Sequence, residues 1–386
     1  MRAKISSQKN SSQTNSEFLG IPRIALPALA LLPLLLTACG HPNIVKIHHA
    51  PDYKQPISKE GRYQNTYPGQ QNYPFTCEAD CYQAQATLQC QSDSPAEQCR
   101  YTGPQANIEN TSGFKVRWFG HASFQISTSD GQQILLDPVT EQFDWPVNWG
   151  FHLLRGFSRG LPQGLNDQIL SNANVVLYSH IHYDHFNKAD IERIGNKPDY
   201  LVPLGFSDHF PKGAYRINEM AWYSQQNFSS LQIHAVPAHH FSNRILVPLV
   251  YEDFAKSAWN GWLLQSHGKS LFFAGDTGYS QHFKDIRQRY GAIDVCLLPI
   301  ASYYHKEDGA RYRSVHTTPE DALSAAVELG CKVMIPWGYG NASWKMGDHS
   351  SHSALQRLLT VRQRIQDKPE GKVPLLILNE GEEVRP

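Results

Sequence analysis

The chain has 386 residues, with 35 basic and 35 acidic side chains that cancel to a formal charge of zero. Four basic residues (Arg2, Lys4, Lys9, Arg23) and one acidic residue fall in the first 38, which leaves the remainder near −3. A basic excess is therefore missing, and with it the usual mark of a nucleic-acid partner. Eighteen histidines are a further feature of the composition, and six or more of them fall at the ends of strand-like runs described below.

The apolar run over 24–38 is broken by Pro27 and Pro33 and preceded by the basic residues. It is too short and interrupted for a transmembrane helix and suits the apolar part of an export signal. It closes on Leu36-Thr37-Ala38-Cys39-Gly40, which resembles the bacterial lipobox. Residues 1–38 are then expected to be a lipoprotein signal peptide and Cys39 the lipidated N-terminus. Gly40 rather than Asp after the cysteine points to the outer membrane, in the bacterial cell envelope and facing the periplasm. The chain would be held to the membrane through Cys39.

Residues 39–75 are rich in Gln, Asn, Tyr and Pro, and read as an extended tether. Residues 76–110 hold Cys77, Cys81, Cys90 and Cys99. Four close cysteines in an exported chain favour two disulfides over a metal site. Three connectivities are open, and a small zinc knuckle is the alternative. Cys296 and Cys331 sit in or beside apolar strand-like runs and read as buried core thiols.

Residues 111–386 are long enough for one large α/β domain. Strand-like runs lie at 114–119, 122–127, 133–137, 174–179, 231–236, 260–266, 269–274, 293–299, 331–336 and 374–378, and His267-Gly268 suits a hairpin turn. Thr318 reads as a helix N-cap, with Pro319 at the first position and Glu320 and Asp321 in the first turn. Ala322, Leu323, Ala326 and Val327 give the apolar stripe of that helix and Gly330 its end. A second helix is expected over 353–366.

The most informative stretch is Ser179-His180-Ile181-His182-Tyr183-Asp184-His185, directly after Val175-Val176-Leu177-Tyr178. An apolar run that ends in three imidazoles and a carboxylate reads as a buried strand delivering metal ligands at its tip. His180 and His182 share one side of an extended backbone, and Asp184 and His185 follow where the chain must turn toward a second metal. Downstream, one strand-like run leads into Pro237-Ala238-His239-His240-Phe241 and another into Phe273-Ala274-Gly275-Asp276-Thr277-Gly278. A carboxylate between glycines that let the backbone bend can bridge two cations.

This ordered set resembles the metallo-β-lactamase superfamily and, within it, the N-acylphosphatidylethanolamine-hydrolysing phospholipase D family with related bacterial lipoproteins. The stretches that carry the resemblance include Trp118-Phe119-Gly120-His121-Ala122-Ser123-Phe124, Leu135-Leu136-Asp137-Pro138, the His180 cluster, Leu298-Pro299-Ile300, and Val315-His316 with Pro319-Glu320-Asp321-Ala322. The resemblance implies an αββα sandwich carrying the lipoprotein leader and the Cys-rich extension. It assigns His180, His182 and His240 to a first zinc, Asp184 and His185 to a second, and Asp276 to both. His316 and Asp184 are the implied catalytic residues, with His316 contacting phosphate or protonating the leaving group. Asp137 would orient a ligand. His239 reads as a bystander, His121 as a hydrogen-bonded histidine under the site, and Tyr183 as a loop aromatic.

One departure stands out. Where the family carries a histidine before Trp-Gly, this chain has Pro336-Trp337-Gly338, and proline has no side-chain donor. Either the second zinc is short of a ligand, giving one rather than two zincs per chain, or His349, His352 or Asp348 loops back to replace it. The resemblance implies a zinc-dependent phosphodiesterase acting on N-acylphosphatidylethanolamine-like membrane lipids. Hydrolysis of a lactone, β-lactam or other ester is one alternative. A non-catalytic envelope lipoprotein with a degraded metal site is the other.

Overall fold

The computed structural model describes residues 41–72, 79–91, 98–107, 113–144, 160–244, 252–304, 308–343 and 350–386. The expected signal peptide, Cys39, Cys77, Asp348 and His349 lie outside them. Three strands come from the N-terminal third: β1 (Ile44–His48), β2 (Leu88–Gln91) and β3 (Gln98–Tyr101). β4 (Phe114–Gly120), β5 (Ser123–Thr128), β6 (Gln133–Leu136), β7 (Val175–Leu177), β8 (Asp199–Pro203) and β9 (Arg216–Met220) follow. The second half supplies β10 (Gln225–Phe228), β11 (Leu231–Val236), β12 (Gly261–Ser266), β13 (Lys269–Phe273), β14 (Val295–Pro299), β15 (Val333–Trp337) and β16 (Glu383–Val384). Among the described residues they form an eight-stranded sheet in the order β1-β9-β8-β7-β6-β5-β4-β16, a six-stranded sheet running β10 to β15 in sequence, and a separate β2-β3 pair.

The period-2 pleat of a strand sends alternate side chains to opposite faces, and the buried clusters divide accordingly. Ile134, Leu136, Val175, Leu177 and Leu201 join a core shared with Trp262, Leu264, Leu271, Phe273 and Leu297 of the second sheet. Their neighbours Leu135, Val176, Tyr178, Tyr200 and Val202 pack outward. There they meet Leu170 of α1 (Asp167–Ser171) and Ile191 and Ile194 of α2 (Lys188–Ile194). Phe283 and Ile286 of α3 (His282–Tyr290) belong to the inter-sheet cluster's side of the molecule, as do residues of α5 below. Helices thus cover both outer faces of a two-sheet sandwich, which puts the strand ends, where ligands can be displayed, along one rim.

Two helices flank residue 316. α4 (Gly309–Val315) runs up to it, and α5 (Pro319–Leu329) starts just after it. Thr318 accepts from the Asp321 amide while the Asp321 carboxylate accepts from the Thr318 amide, a reciprocal cap. Ala322, Leu323, Ala325, Ala326 and Leu329 are buried. Val327, expected in that stripe, is 38% exposed, because the stripe follows 3.6 residues per turn and passes through Ala325 and Leu329 instead. α6 (Ser353–Arg364) is tied to α5 by the buried Arg357–Glu320 pair at 2.8 Å.

Three expectations change. Residues 41–72 do not hang off the fold: β1 pairs in parallel with β9, and the Asn65 side chain reaches the domain at His240. A polar, Pro-rich composition hid this, since the segment joins an existing sheet edge rather than building a core. The run at 374–378 does not form a strand. It lies along β15 with a single bridge, Met334 to Leu375. Cys296 and Cys331 are not free thiols but a disulfide. Cys331 begins the approach to β15, next to β14, so residues 35 apart in sequence come within 5.9 Å at Cα. Cys90 and Cys99 are opposite each other on β2 and β3 and also form a disulfide, and Cys81 is disulfide-bonded as well.

Thr318→Ala should lower stability by about 1 kcal/mol, measurable by urea denaturation. Thiol labelling of the denatured, unreduced protein should leave Cys90, Cys99, Cys296 and Cys331 unmodified. Closing a loop of the size between Cys296 and Cys331 is worth roughly 3–4 kcal/mol, so Cys296→Ser should show a clear drop in Tm.

Candidate metal centre

The rim of the sandwich gathers side chains from six separate stretches. β6 ends in Asp137, β7 runs into 178–186, β11 into 237–241 and β13 into 274–278, while the β4–β5 turn brings His121 and the α4–α5 junction brings His316. The backbone is bent to achieve this. Asp137 has φ +39°. Gly275 has φ +60°, and a Cβ there would lie 2.8 Å from the Ser179 Cβ. Gly278 serves differently from the bend expected of it: its φ is ordinary, but a Cβ would stand 1.9 Å from the Ser314 carbonyl oxygen. It lets two chain segments approach closely.

Four groups of side chains have their ligand atoms mutually within 4.8 Å: His180, His182 and His240; His121, Asp184 and His185; His180, His185 and Asp276; and His240, Asp276 and His316. They share members and form one continuous cluster. His240, not its neighbour His239, is part of it. His352 is buried at the start of α6 with its ring 6.5 Å from that of Tyr339, outside all four groups.

The hydrogen bonds around the cluster point to one tautomer for each ring. His240 Nδ1 lies 2.9 Å from the Val315 carbonyl oxygen and donates to it. His182 Nε2 lies 3.2 Å from Asn243 Oδ1 and donates there. The Ser179 hydroxyl donates to Asp137 Oδ2 at 2.6 Å, so it accepts from His180 Nδ1 at 3.0 Å. The three remaining nitrogens, His180 Nε2, His182 Nδ1 and His240 Nε2, carry lone pairs and face one another at 2.8 and 3.2 Å. Lone pairs that close repel unless a cation sits among them. With metal–nitrogen bonds of about 2.1 Å, neighbouring donors of a four- to six-coordinate ion lie about 3.0–3.4 Å apart, close to the spacing found.

The electrostatics agree. Burial, with the neighbouring imidazoles, holds His180 well below its ordinary pKa, and burial pulls His182 down to about 4 and His240 well below its ordinary value. All three are neutral donors. Burial would lower His185 too, but Asp276, Asp184 and Asp137 raise it well above its usual value. Its Nδ1 donates to Asp137 at 2.7 Å. Its fully buried Nε2 lies 3.2 Å from Asp276 Oδ2. Burial alone would raise Asp184 and Asp276, yet His185, with His121 beside the first and His316 beside the second, holds both carboxyls well below the usual range. A divalent cation fits this donor set.

Several positioning residues were not read from the sequence. Arg244 is buried, donates to the carbonyls of Ile181 and Phe186 at 2.6 and 2.9 Å, and pairs with Asp144 at 2.5 Å. Its guanidinium lies 4.0 Å over the Tyr183 ring, so it clamps both ends of the histidine loop. Asn65 accepts from the His240 amide at 3.1 Å and donates to the His240 carbonyl at 2.9 Å. No local pattern marks either residue, because each works only through contacts far along the chain.

These features define a metal-dependent hydrolase. The domain model described as a β-lactamase superfamily domain matches residues 132–339, and the chain belongs to that superfamily. It is 27% identical over 277 residues to an uncharacterized protein of Mycobacterium tuberculosis, covering 70% of this chain and 69% of that one. It is 25% identical over 281 residues to the N-acyl-phosphatidylethanolamine-hydrolyzing phospholipase D 1 of Caenorhabditis elegans, covering 68% and 74%. Among solved structures, a possible metal-dependent hydrolase from Veillonella parvula matches with a TM-score of 0.52 at 13% identity, covering 70% of this chain and 98% of that one, a likeness of fold.

Asp137 orients His185 directly and His180 through Ser179. Asp137→Ala should therefore weaken metal affinity about 10- to 100-fold, read by competition with a chromophoric chelator.

Proposed function

We propose that this protein is a zinc-dependent phosphodiesterase of the phospholipase D type, acting on N-acylphosphatidylethanolamine or a similar membrane phospholipid. The observation that carries the reading is the set of inward lone pairs of His180, His182 and His240 with Asp276 and His316 beside them. The similarity to the Caenorhabditis elegans enzyme supports the substrate class. Zinc held there would supply Lewis acidity, lowering the pKa of water to about 7 and offsetting negative charge on a phosphoryl oxygen.

The chain's own residues supply the rest. His316 Nδ1 donates to the Tyr312 carbonyl at 3.2 Å, which leaves Nε2, 3.4 Å from Asp276 Oδ2, able to hold a proton for the departing alkoxide oxygen. Thr317 Oγ1, bonded to the Pro299 carbonyl at 2.6 Å, and the cap at Thr318 keep that ring in place. Asp276 and Asp184 serve as metal ligands, and Asp137 keeps its role in orientation. In the reaction the P–O bond to the ethanolamine breaks and the oxygen of water ends on phosphorus. Phosphatidic acid and an N-acylethanolamine result.

Lipid attachment at Cys39, in the cell envelope, places the enzyme beside such substrates. The leader supports that location. Among the described residues no helix is long and apolar enough to cross a membrane. The convergence of donors weighs against the non-catalytic alternative.

The test is product analysis by mass spectrometry, with vesicles of N-acylphosphatidylethanolamine alongside phosphatidylethanolamine, a lactone and a β-lactam. N-acylethanolamine and phosphatidic acid should appear in equal amounts. A chelator should stop their release, and His182→Ala should abolish it along with most of the bound metal. Turnover of the lactone or β-lactam with phospholipids left intact would overturn the lipid assignment.

A further inference from the structure

Proline at 336 removes one donor from the second half of the centre, and another side chain stands in the gap. His121 follows Gly120 at a register irregularity between β4 and β5, with φ +47°, a conformation L residues rarely adopt. It is 3% exposed. Its ring packs edge-on against those of His185 at 5.1 Å and Trp337 at 5.9 Å, so the residue next to Pro336 backs it.

The neighbours of His121 fix which of its nitrogens can face a cation. Ser343 Oγ donates to the Tyr339 carbonyl at 3.0 Å, and a hydroxyl has one proton to give. It therefore accepts from His121 Nδ1, 3.3 Å away. Nε2 then lies 3.0 Å from Asp184 Oδ2, bonded to it through a proton that a divalent cation would displace. The ligand atoms of His121, Asp184 and His185 all lie within 4.8 Å of one another, close enough for one cation to take that proton's place. His185 stands on the other side of the same carboxylate: its Nε2 is fully buried and lies 3.8 Å from that Asp184 oxygen and 3.2 Å from Asp276 Oδ2.

We propose that His121, Asp184 and His185 hold the second divalent cation, with Asp276 shared between the two sites, and that His121 replaces the ligand lost to Pro336. The donors span the second site without His352. This rests on the divalent-metal reading of the centre and is independent of the lipid assignment, because its readout is the number of ions bound.

The experiment uses the full-length protein stripped with chelator and reloaded. Zinc is counted by inductively coupled plasma mass spectrometry, and Co²⁺ is titrated by its visible absorption. The wild type should take two equivalents in two phases. His121→Ala should take one, with the first phase unchanged. Ser343→Ala, a milder change that leaves the imidazole in place, should keep both but weaken the second about 10- to 100-fold. His352→Ala should keep both unaltered. Circular dichroism checks folding; if His121→Ala does not fold, the wild-type count and the Ser343→Ala titration decide. A wild type that binds one ion, a His121→Ala protein that binds two with unchanged affinities, or loss of the second ion in His352→Ala each overturns the proposal. Two ions lost and kept as expected, with no phospholipid turnover, would leave this assignment standing and remove the lipid one.

Discussion

The buried carboxylate of Asp137 is the constraint on which the metal centre depends. It sits at the end of β6 with no exposure and accepts from the Ser179 amide at 2.7 Å, the Ser179 hydroxyl and His185 Nδ1. Because the hydroxyl proton is committed to Asp137, Ser179 Oγ accepts from His180. One carboxylate thus fixes the tautomer of an imidazole in the first ligand group directly through serine and of another in the second by contact. Burial pushes the Asp137 carboxyl up against the pull of those three donors. Positive charge at His185 Nε2 relieves that tension by strengthening the bond on the other side of the ring.

The ligand loops have little regular structure, so their precision comes from what holds their ends. Arg244 ties the carbonyls of Ile181 and Phe186 together across the histidine loop, and its charge is met by Asp144. Asn65, from the N-terminal segment, grips both backbone groups of His240 while Trp259 Nε1 donates to its side-chain oxygen at 3.0 Å. These contacts order the donors before any ion arrives, which reduces the conformational entropy that binding must overcome.

The sequence made the main chemistry legible where it was local. An apolar run followed by alternating histidines exposed β7 and the cluster at its tip, and Thr318 with Asp321 exposed the start of α5. The polar N-terminal segment concealed β1 because an edge strand half in solvent needs no apolar alternation. The Cys296–Cys331 disulfide was hidden by strand adjacency across 35 residues. His121 is legible as a hydrogen-bonded histidine under the site, but its partners are not, since Asp184 and Ser343 lie 63 and 222 positions away.

The charge of the centre bears on what it can receive. Asp137, Asp184 and Asp276 bring three negative charges into a region where His180, His182 and His240 are neutral, and Arg244, the clamp on the histidine loop, is spent on Asp144. With His185 in its charged form, a single divalent ion at the first site would leave the region neutral. Two would bring the region to +1, which complements the single negative charge of that group. A neutral lactone or ester has no such charge to offer. The count therefore connects the loss of a donor at Pro336 to the charge of the centre: a second cation, if His121 retains it, would give the region the positive charge that favours an anionic headgroup.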